Sequence, residues 1–171
     1  VVTTEIQYYS VEIKSNNDTY FNTTLIIKNN TNFHEKSIKH NWSGNGTEDE
    51  PYIISSYHFN MDKTQTAIFI ENTNVHFIIK KCNITNSSCG IVLSEVENGI
   101  IQDNKFYNDN CGVRLSNSDD NLIEKNEFKK IKSSAIHIDG NSYSNEFHNN
   151  SMMGPGFYFK GEKKTYTSQI I

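Results

Sequence analysis

Gly112-Val-Arg-Leu-Ser-Asn-Ser-Asp-Asp-Asn-Leu-Ile-Glu-Lys-Asn-Glu-Phe128 is the stretch that decides the fold. It opens with a small residue, then apolar, variable, apolar, the period-two alternation of a short strand. A polar bend follows, Leu122-Ile123 start a second strand, and Asn126 separates it from a third strand at Phe128. The opening block recurs as Ala67-Ile-Phe-Ile70, Gly90-Ile-Val-Leu93, Ala135-Ile-His-Ile138 and Gly156-Phe-Tyr-Phe159. Successive blocks start 23, 22, 23 and 21 residues apart. Ile78-Ile79, Ile100-Ile101 and Phe147 match the second strand, and Ile84, Phe106 and Met152 the third. Cys82, Asn104 and Asn150 match Asn126.

One such repeat cannot bury its own apolar side. Stacking repeats at about 4.8 Å aligns like residues into ladders and builds one continuous core. Asparagines at the same bend can then hydrogen-bond from coil to coil. The small residue opening each block is expected to let the chain turn tightly. A propeller blade needs about twice this repeat length, and the leucine-rich pattern is missing. The expected fold is all-β: a single-stranded right-handed parallel β-helix of about five coils over 41–171, with an N-terminal β extension or arm over 1–40.

Composition agrees. The chain has 24 Asn and 30 Ser or Thr but two Ala, and its apolar residues are mostly strand formers. The net charge of −4, with Arg114 the only arginine, gives no basic footprint for nucleic acid. No apolar run is long enough to span a membrane as a helix. Asn-x-Ser/Thr sequons start at Asn17, Asn22, Asn29, Asn41, Asn45, Asn83, Asn86 and Asn149. That is about twice the chance number and makes glycosylation, and a secreted or cell-surface home, the expectation.

The Gly-x-x-Leu strand followed by Asn121-Leu-Ile-Glu-Lys-Asn-Glu-Phe128 resembles the parallel β-helix repeat proteins, the NosD-like and pectate-lyase-like group. Gly46-Thr-Glu-Asp-Glu-Pro-Tyr-Ile-Ile54 resembles the entry motif of archaeal surface proteins with such repeats. The resemblance covers about two thirds of the chain. It implies the fold rather than an activity, because this scaffold hosts lyases, hydrolases, adhesins and structural stalks.

Outside the repeat, Val2 to Ile13 alternate with one break in phase, Ser15 to Asp18 form a turn, and Tyr20 to Ile27 form a second strand. Asn29 to Asn45 reads as a polar connection. The chain ends apolar at Ile170-Ile171, so its last coil is expected to present open strand edges unless a second copy or a further segment covers them. A head-to-tail contact there does not close on itself and gives a filament. The first functional expectation is therefore a structural protein whose main partner is itself, assembling through Ile6, Tyr8, Val11, Ile13, Ile170 and Ile171. The alternative is a carbohydrate-binding or carbohydrate-active module whose partner is a polysaccharide.

The alternative rests on outward ladders of the repeated strand. Arg114, His137 and Tyr158 share one ladder, and Asp139 stands on the next. Such a cluster could hold a uronate carboxylate or move a proton; an ordinary solvated face is the other reading. The carboxylate pairs and companion motifs of the related enzymes are missing, so a non-enzyme is expected. No cofactor is expected; Ca²⁺ at a single acidic bend is the one ion left open, since Asp103, Asp109, Asp119 and Asp139 lie on different bends. The NosD-like resemblance implies a look for copper. His148, Met152 and Met153 are near in sequence, but Met152 falls on the core column. Cys89 and Cys111 occupy the same repeat position, which allows either a disulfide or two stacked thiols. Cys82 takes an Asn-ladder place as a buried thiol.

Overall fold

The computed structural model describes residues 13–15, 18–160 and 168–169. The strands form three sheets, numbered here along the chain. Sheet A runs in the order β1 (Ile13–Ser15), β2 (Asp18–Phe21), β5 (Tyr57–Asn60), β8 (Asn83–Thr85), β11 (Lys105–Tyr107), β14 (Glu127–Lys129), β17 (Ser151–Met153). Sheet B runs β3 (Leu25–Ile27), β6 (Ile68–Thr73), β9 (Cys89–Val96), β12 (Cys111–Ser116), β15 (Ser134–Asp139), β18 (Phe157–Lys160). Sheet C runs β4 (Tyr52–Ser55), β7 (Phe77–Lys80), β10 (Gly99–Gln102), β13 (Leu122–Glu124), β16 (Glu146–His148), β19 (Ser168–Gln169). The chain visits C, A and B in turn, which makes five full turns with partial turns at both ends. The fold is the expected right-handed parallel β-helix.

Register follows the repeat. Ile78, Ile100 and Leu122 pair in sequence, as do Ile84, Phe106, Phe128 and Met152. Inward residues such as Ile70, Leu93, Leu115 and Ile138 stack at 0–2 % exposure. Each such side chain contributes about 1.5–3 kcal/mol by burial.

Two devices hold the bends. The first is the amide ladder. The Asn104 N–H donates to Asn126 Oδ1 at 3.0 Å, and the Asn126 N–H to Asn150 Oδ1 at 3.0 Å. Each Nδ2 also donates to a carbonyl of the previous turn: Asn104 to Ile79, Asn126 to Ile101, Asn150 to Ile123. Cys82 begins this ladder, fully buried, its N–H on Asn104 Oδ1. A parallel ladder runs from Gly99 through Asn121 to Asn145. The second device is left-handed backbone without glycine. Lys81, Asp103, Lys125 and Asn149 all sit at φ 53° to 54°. The expectation that block-opening glycines make the turns is therefore corrected. Gly90 and Gly112 have ordinary φ, and a Cβ there would meet the Phe106 or Phe128 ring at 2.5–2.6 Å. These positions stay small so that the next ring can lie flat.

The N-terminal part differs from expectation in two ways. The stack begins before residue 41: β2 pairs in parallel with β5, and β3 with β6, while β1 folds back antiparallel on β2. Tyr20 to Ile27 is thus two strands, on different sheets. The expected polar connection is a helix, α1 (Asn30–His40). The Asn29 side chain caps it by accepting from the Asn32 N–H at 2.8 Å, Lys39 and His40 suit its C-terminal dipole, and Asn41 closes it in left-handed conformation. Phe33, fully buried, stacks on Tyr52 at 5.1 Å and tilts on Phe77 at 5.2 Å. Of the expected assembly residues, Ile13 pairs with Tyr20 within the chain; Ile6, Tyr8, Val11, Ile170 and Ile171 lie outside the described residues.

Candidate functional site

Outward residues alternate with the core ones, so each sheet presents a ladder to solvent. On sheet B the register brings Arg114, His137 and Tyr158 into one column, with Asp139 beside them. Arg114 Nε donates to Asp139 Oδ2 at 3.0 Å, and its Nη2 meets the same oxygen. His137 Nε2 stands 3.6 Å from Asp139 Oδ2, and the His137 and Tyr158 rings lie 4.7 Å apart. Burial pulls the Asp139 carboxyl up, but hydrogen bonds from Ser116 and Arg114 outweigh it and hold the group below the ordinary range. Burial, and then the Arg114 charge, lower His137 below the ordinary imidazole range. The four predicted residues do meet. The arginine's charge, however, is matched within the protein by Asp139 rather than left for a ligand.

Sheet A carries a second face that the sequence reading did not single out. A groove of about 710 Å³ crosses four of its rungs, β2, β5, β8 and β11. Tyr20 pairs in register with His58, and their rings stack at 4.7 Å and 21°. Tyr107 stands two rungs along the next column, and both tyrosines are 42 % exposed. A polar row runs beside the rings. Asn86 Nδ2 donates to Asn60 Oδ1 at 2.8 Å, and Asn108 Nδ2 donates to Asn86 Oδ1 at 2.7 Å. Asn83 contacts His58 Nδ1 at 3.3 Å. The lining holds no Asp, Glu, Lys or Arg. At its rim Lys130 Nζ donates to the Tyr107 hydroxyl at 2.5 Å and lies 4.9 Å from the ring centre. Carrying the outward alternation over to the third strand of each repeat would have found Asn60, Thr85 and Tyr107. Tyr20 gave no such signal, because it lies outside the visible repeat.

The sequons are spread over both ends and the groove. Asn22 is exposed at the groove wall, and Asn41 and Asn149 are exposed at left-handed turns. Asn29 caps α1, Asn45 Nδ2 donates to Glu50, and Asn83 and Asn86 use their amides in the groove. Asn17 lies outside the described residues.

Fold and faces define a class: a parallel β-solenoid whose outer ladders, not its core, vary from turn to turn. The chain belongs to the NosD family, described as "Periplasmic copper-binding protein (NosD)", whose pattern matches residues 10–165. That description agrees with the location outside the cytoplasm expected from the sequons, and no helix among the described residues is long and apolar enough to cross a membrane. The fold is also similar to that of an alginate lyase from Paenibacillus sp. str. FPU-7. The TM-score is 0.52 and the identity 11 %, over 73 % of this chain and 58 % of the lyase. The chain thus spans a little over half of the lyase's length, and the likeness concerns fold alone. No curated protein matches the sequence.

The donors described here do not fit a copper centre. His148 Nε2 lies 2.9 Å from Glu146 Oε2, Met152 sits on the core column opposite Phe128, and Met153 is 63 % exposed on the surface. Among the described residues no three His, Cys, Asp or Glu side chains converge. The acids considered for Ca²⁺ are likewise dispersed: Asp109 binds Ser87, Asp119 accepts from the Tyr143 N–H, and Asp139 holds Arg114.

Proposed function

We propose that this protein is a polysaccharide-binding β-helix working outside the cytoplasm, with its binding face along the groove of sheet A. One observation carries the reading: two exposed tyrosine rings and a row of amides lie along one uncharged groove. The C–H face of a sugar ring packs on an aromatic face, and an amide offers both a donor and an acceptor to sugar hydroxyls. The groove runs along the stacking axis, as a chain-like ligand requires. Glycoside hydrolysis needs two placed carboxylates, and the groove lining contains none, which favours binding over cleavage.

Two other readings compete. Acidic-glycan binding would centre on Arg114, His137 and Tyr158 instead. End-to-end assembly into a filament needs open coil ends. Its N-terminal half is disfavoured by α1, because the first-rung residues Leu25, Ile27, Tyr52 and Ile54 are only 0–5 % exposed. Affinity electrophoresis against neutral and acidic polysaccharides separates all three. We expect retardation by a neutral polysaccharide, weakened about threefold to tenfold by Tyr20→Ala and again by Tyr107→Ala, with Arg114→Ala unchanged. Loss on Arg114→Ala alone moves the site to sheet B. Fibres that form with no glycan dependence replace the binding reading by assembly.

A further inference from the structure

Two of the three cysteines face each other across adjacent turns. Cys89 on β9 and Cys111 on β12 are register partners in a parallel ladder. Their Cα atoms are thus one inter-strand spacing apart, about 4.8 Å, inside the range a disulfide spans. Both are 7 % exposed, and each sulfur's neighbour is the other sulfur, at 2.6 Å. The remaining polar contacts of the Cys89 sulfur are carbonyls at 3.7 and 3.8 Å. No third metal-binding group joins them among the described residues. Cys82 lies on another bend, in the amide ladder, with its sulfur near the Lys80 carbonyl. The family description places these proteins in the periplasm, where disulfides form and persist.

We propose that Cys89 and Cys111 are joined by a disulfide that staples two consecutive turns, while Cys82 remains a thiol. The two thiols form one S–S bond and give up two protons and two electrons. The oxidant is a disulfide-bearing protein or small molecule, R–S–S–R, which is reduced to two thiols. Both cysteines are 7 % exposed in the finished stack, so the turns shield the bond from exchange with outside thiols. It ties together the rungs that carry Asn86 and Asn108, so it also fixes the spacing of the groove's amide row.

The test starts from the unaltered chain. The chain is secreted into an oxidising compartment, unfolded in denaturant without reductant, and treated with iodoacetamide. One alkylated cysteine, Cys82, is expected, and before alkylation the intact mass should lie two hydrogens below that of the reduced chain. Digestion should then give a linked peptide pair containing Cys89 and Cys111 from one molecule. Three alkylated cysteines overturn the proposal, as does any link through Cys82 or between chains. Cys82→Ala should leave the linked pair unchanged. These outcomes do not depend on glycan binding, so either proposal can fail without the other.

Discussion

The middle turns and the N-terminal end solve one problem by different means. Between Phe77 and Met153 like residues recur at like places, and the Asn104–Asn126–Asn150 amides pass hydrogen bonds along the axis. Between Asp18 and Asn60 the order is kept by rings. Phe33 stacks on Tyr52, Phe21 on Phe59 at 5.0 Å, and Trp42 donates its Nε1–H to the Tyr57 hydroxyl at 2.6 Å. The difference follows from neighbours. A ladder asparagine needs a turn before it, for its Oδ1 and Nδ2 bonds, and a turn after it, for its N–H, and a terminal turn has one neighbour. Ring burial has no direction and needs no matching partner beyond the end. A helix also brings its own backbone hydrogen bonds already made, so it can close an end without leaving strand edges.

The sharpest way to break this comparison is to interrupt the ladder. Asn126→Leu keeps the volume but leaves the buried Asn104 N–H without its acceptor and removes the Nδ2 bonds to the Ile101 carbonyl and to Asn150 Oδ1. At roughly 1–3 kcal/mol for the orphaned N–H and about 1 kcal/mol for each lost bond, a loss of about 4 kcal/mol in urea unfolding is expected. A loss below about 1 kcal/mol would mean that the ladders decorate a stack held by its core alone. Phe33→Ala is the matching cut at the other end. It removes a fully buried ring and should cost about 3 kcal/mol. Its second signature is local: hydrogen exchange should rise in residues 25–60 and stay unchanged in β12 to β15. Uniform loosening along the stack would contradict the separation of the two regions.

The same contrast explains what was legible in the sequence. The repeat printed its register directly, because Ile84, Phe106 and Phe128 must stack or the core opens. The column containing Arg114, His137 and Tyr158 followed by counting. The helix was hidden because an end cap buries little: Phe33 and Ser37 are its buried residues, and Ile38 is 68 % exposed. An apolar stripe that narrow has no periodic signature in a chain rich in Asn and Lys. The groove was hidden for a related reason. Tyr20 belongs to a partial first turn, and α1 and its loop are inserted between β3 and β4, so Tyr20 stands 38 residues from its register partner His58 and no 22-residue spacing points to it. The roles given to glycines were misjudged because a small residue can serve a turn or a close ring, and spacing alone does not separate the two.

A smaller effect sharpens the comparison inside the ladder region. Asp109 occupies a ladder position where an uncharged side chain would serve. Its Oδ1 accepts from both the N–H and the Oγ–H of Ser87 at 2.7 Å. One repeat further on stands Ile131, which offers no donor, and Asp109 Oδ2 is buried without a partner. Burial, against the pull of the Ser87 bonds, pushes the carboxyl up to about 6. The folded-state value thus lies above the unfolded one, near 3.9, so between the two the folded chain binds more protons than the unfolded chain. Stability from this group is greatest below about pH 4, falls as pH rises through 6, and at pH 7 the buried charge costs on the order of 2 kcal/mol. Asp109→Asn keeps the Oδ1 acceptor, removes the charge, and supplies the Nδ2 donor used by Asn104 and Asn126. It should raise stability at pH 7 by about 2 kcal/mol, and the gain should shrink towards zero as urea titrations are repeated down to pH 4. A gain that does not change with pH would show that the benefit lies in the new hydrogen bond and not in the removed charge. The ladder would then be limited by donors, as it is at Cys82, rather than by electrostatics.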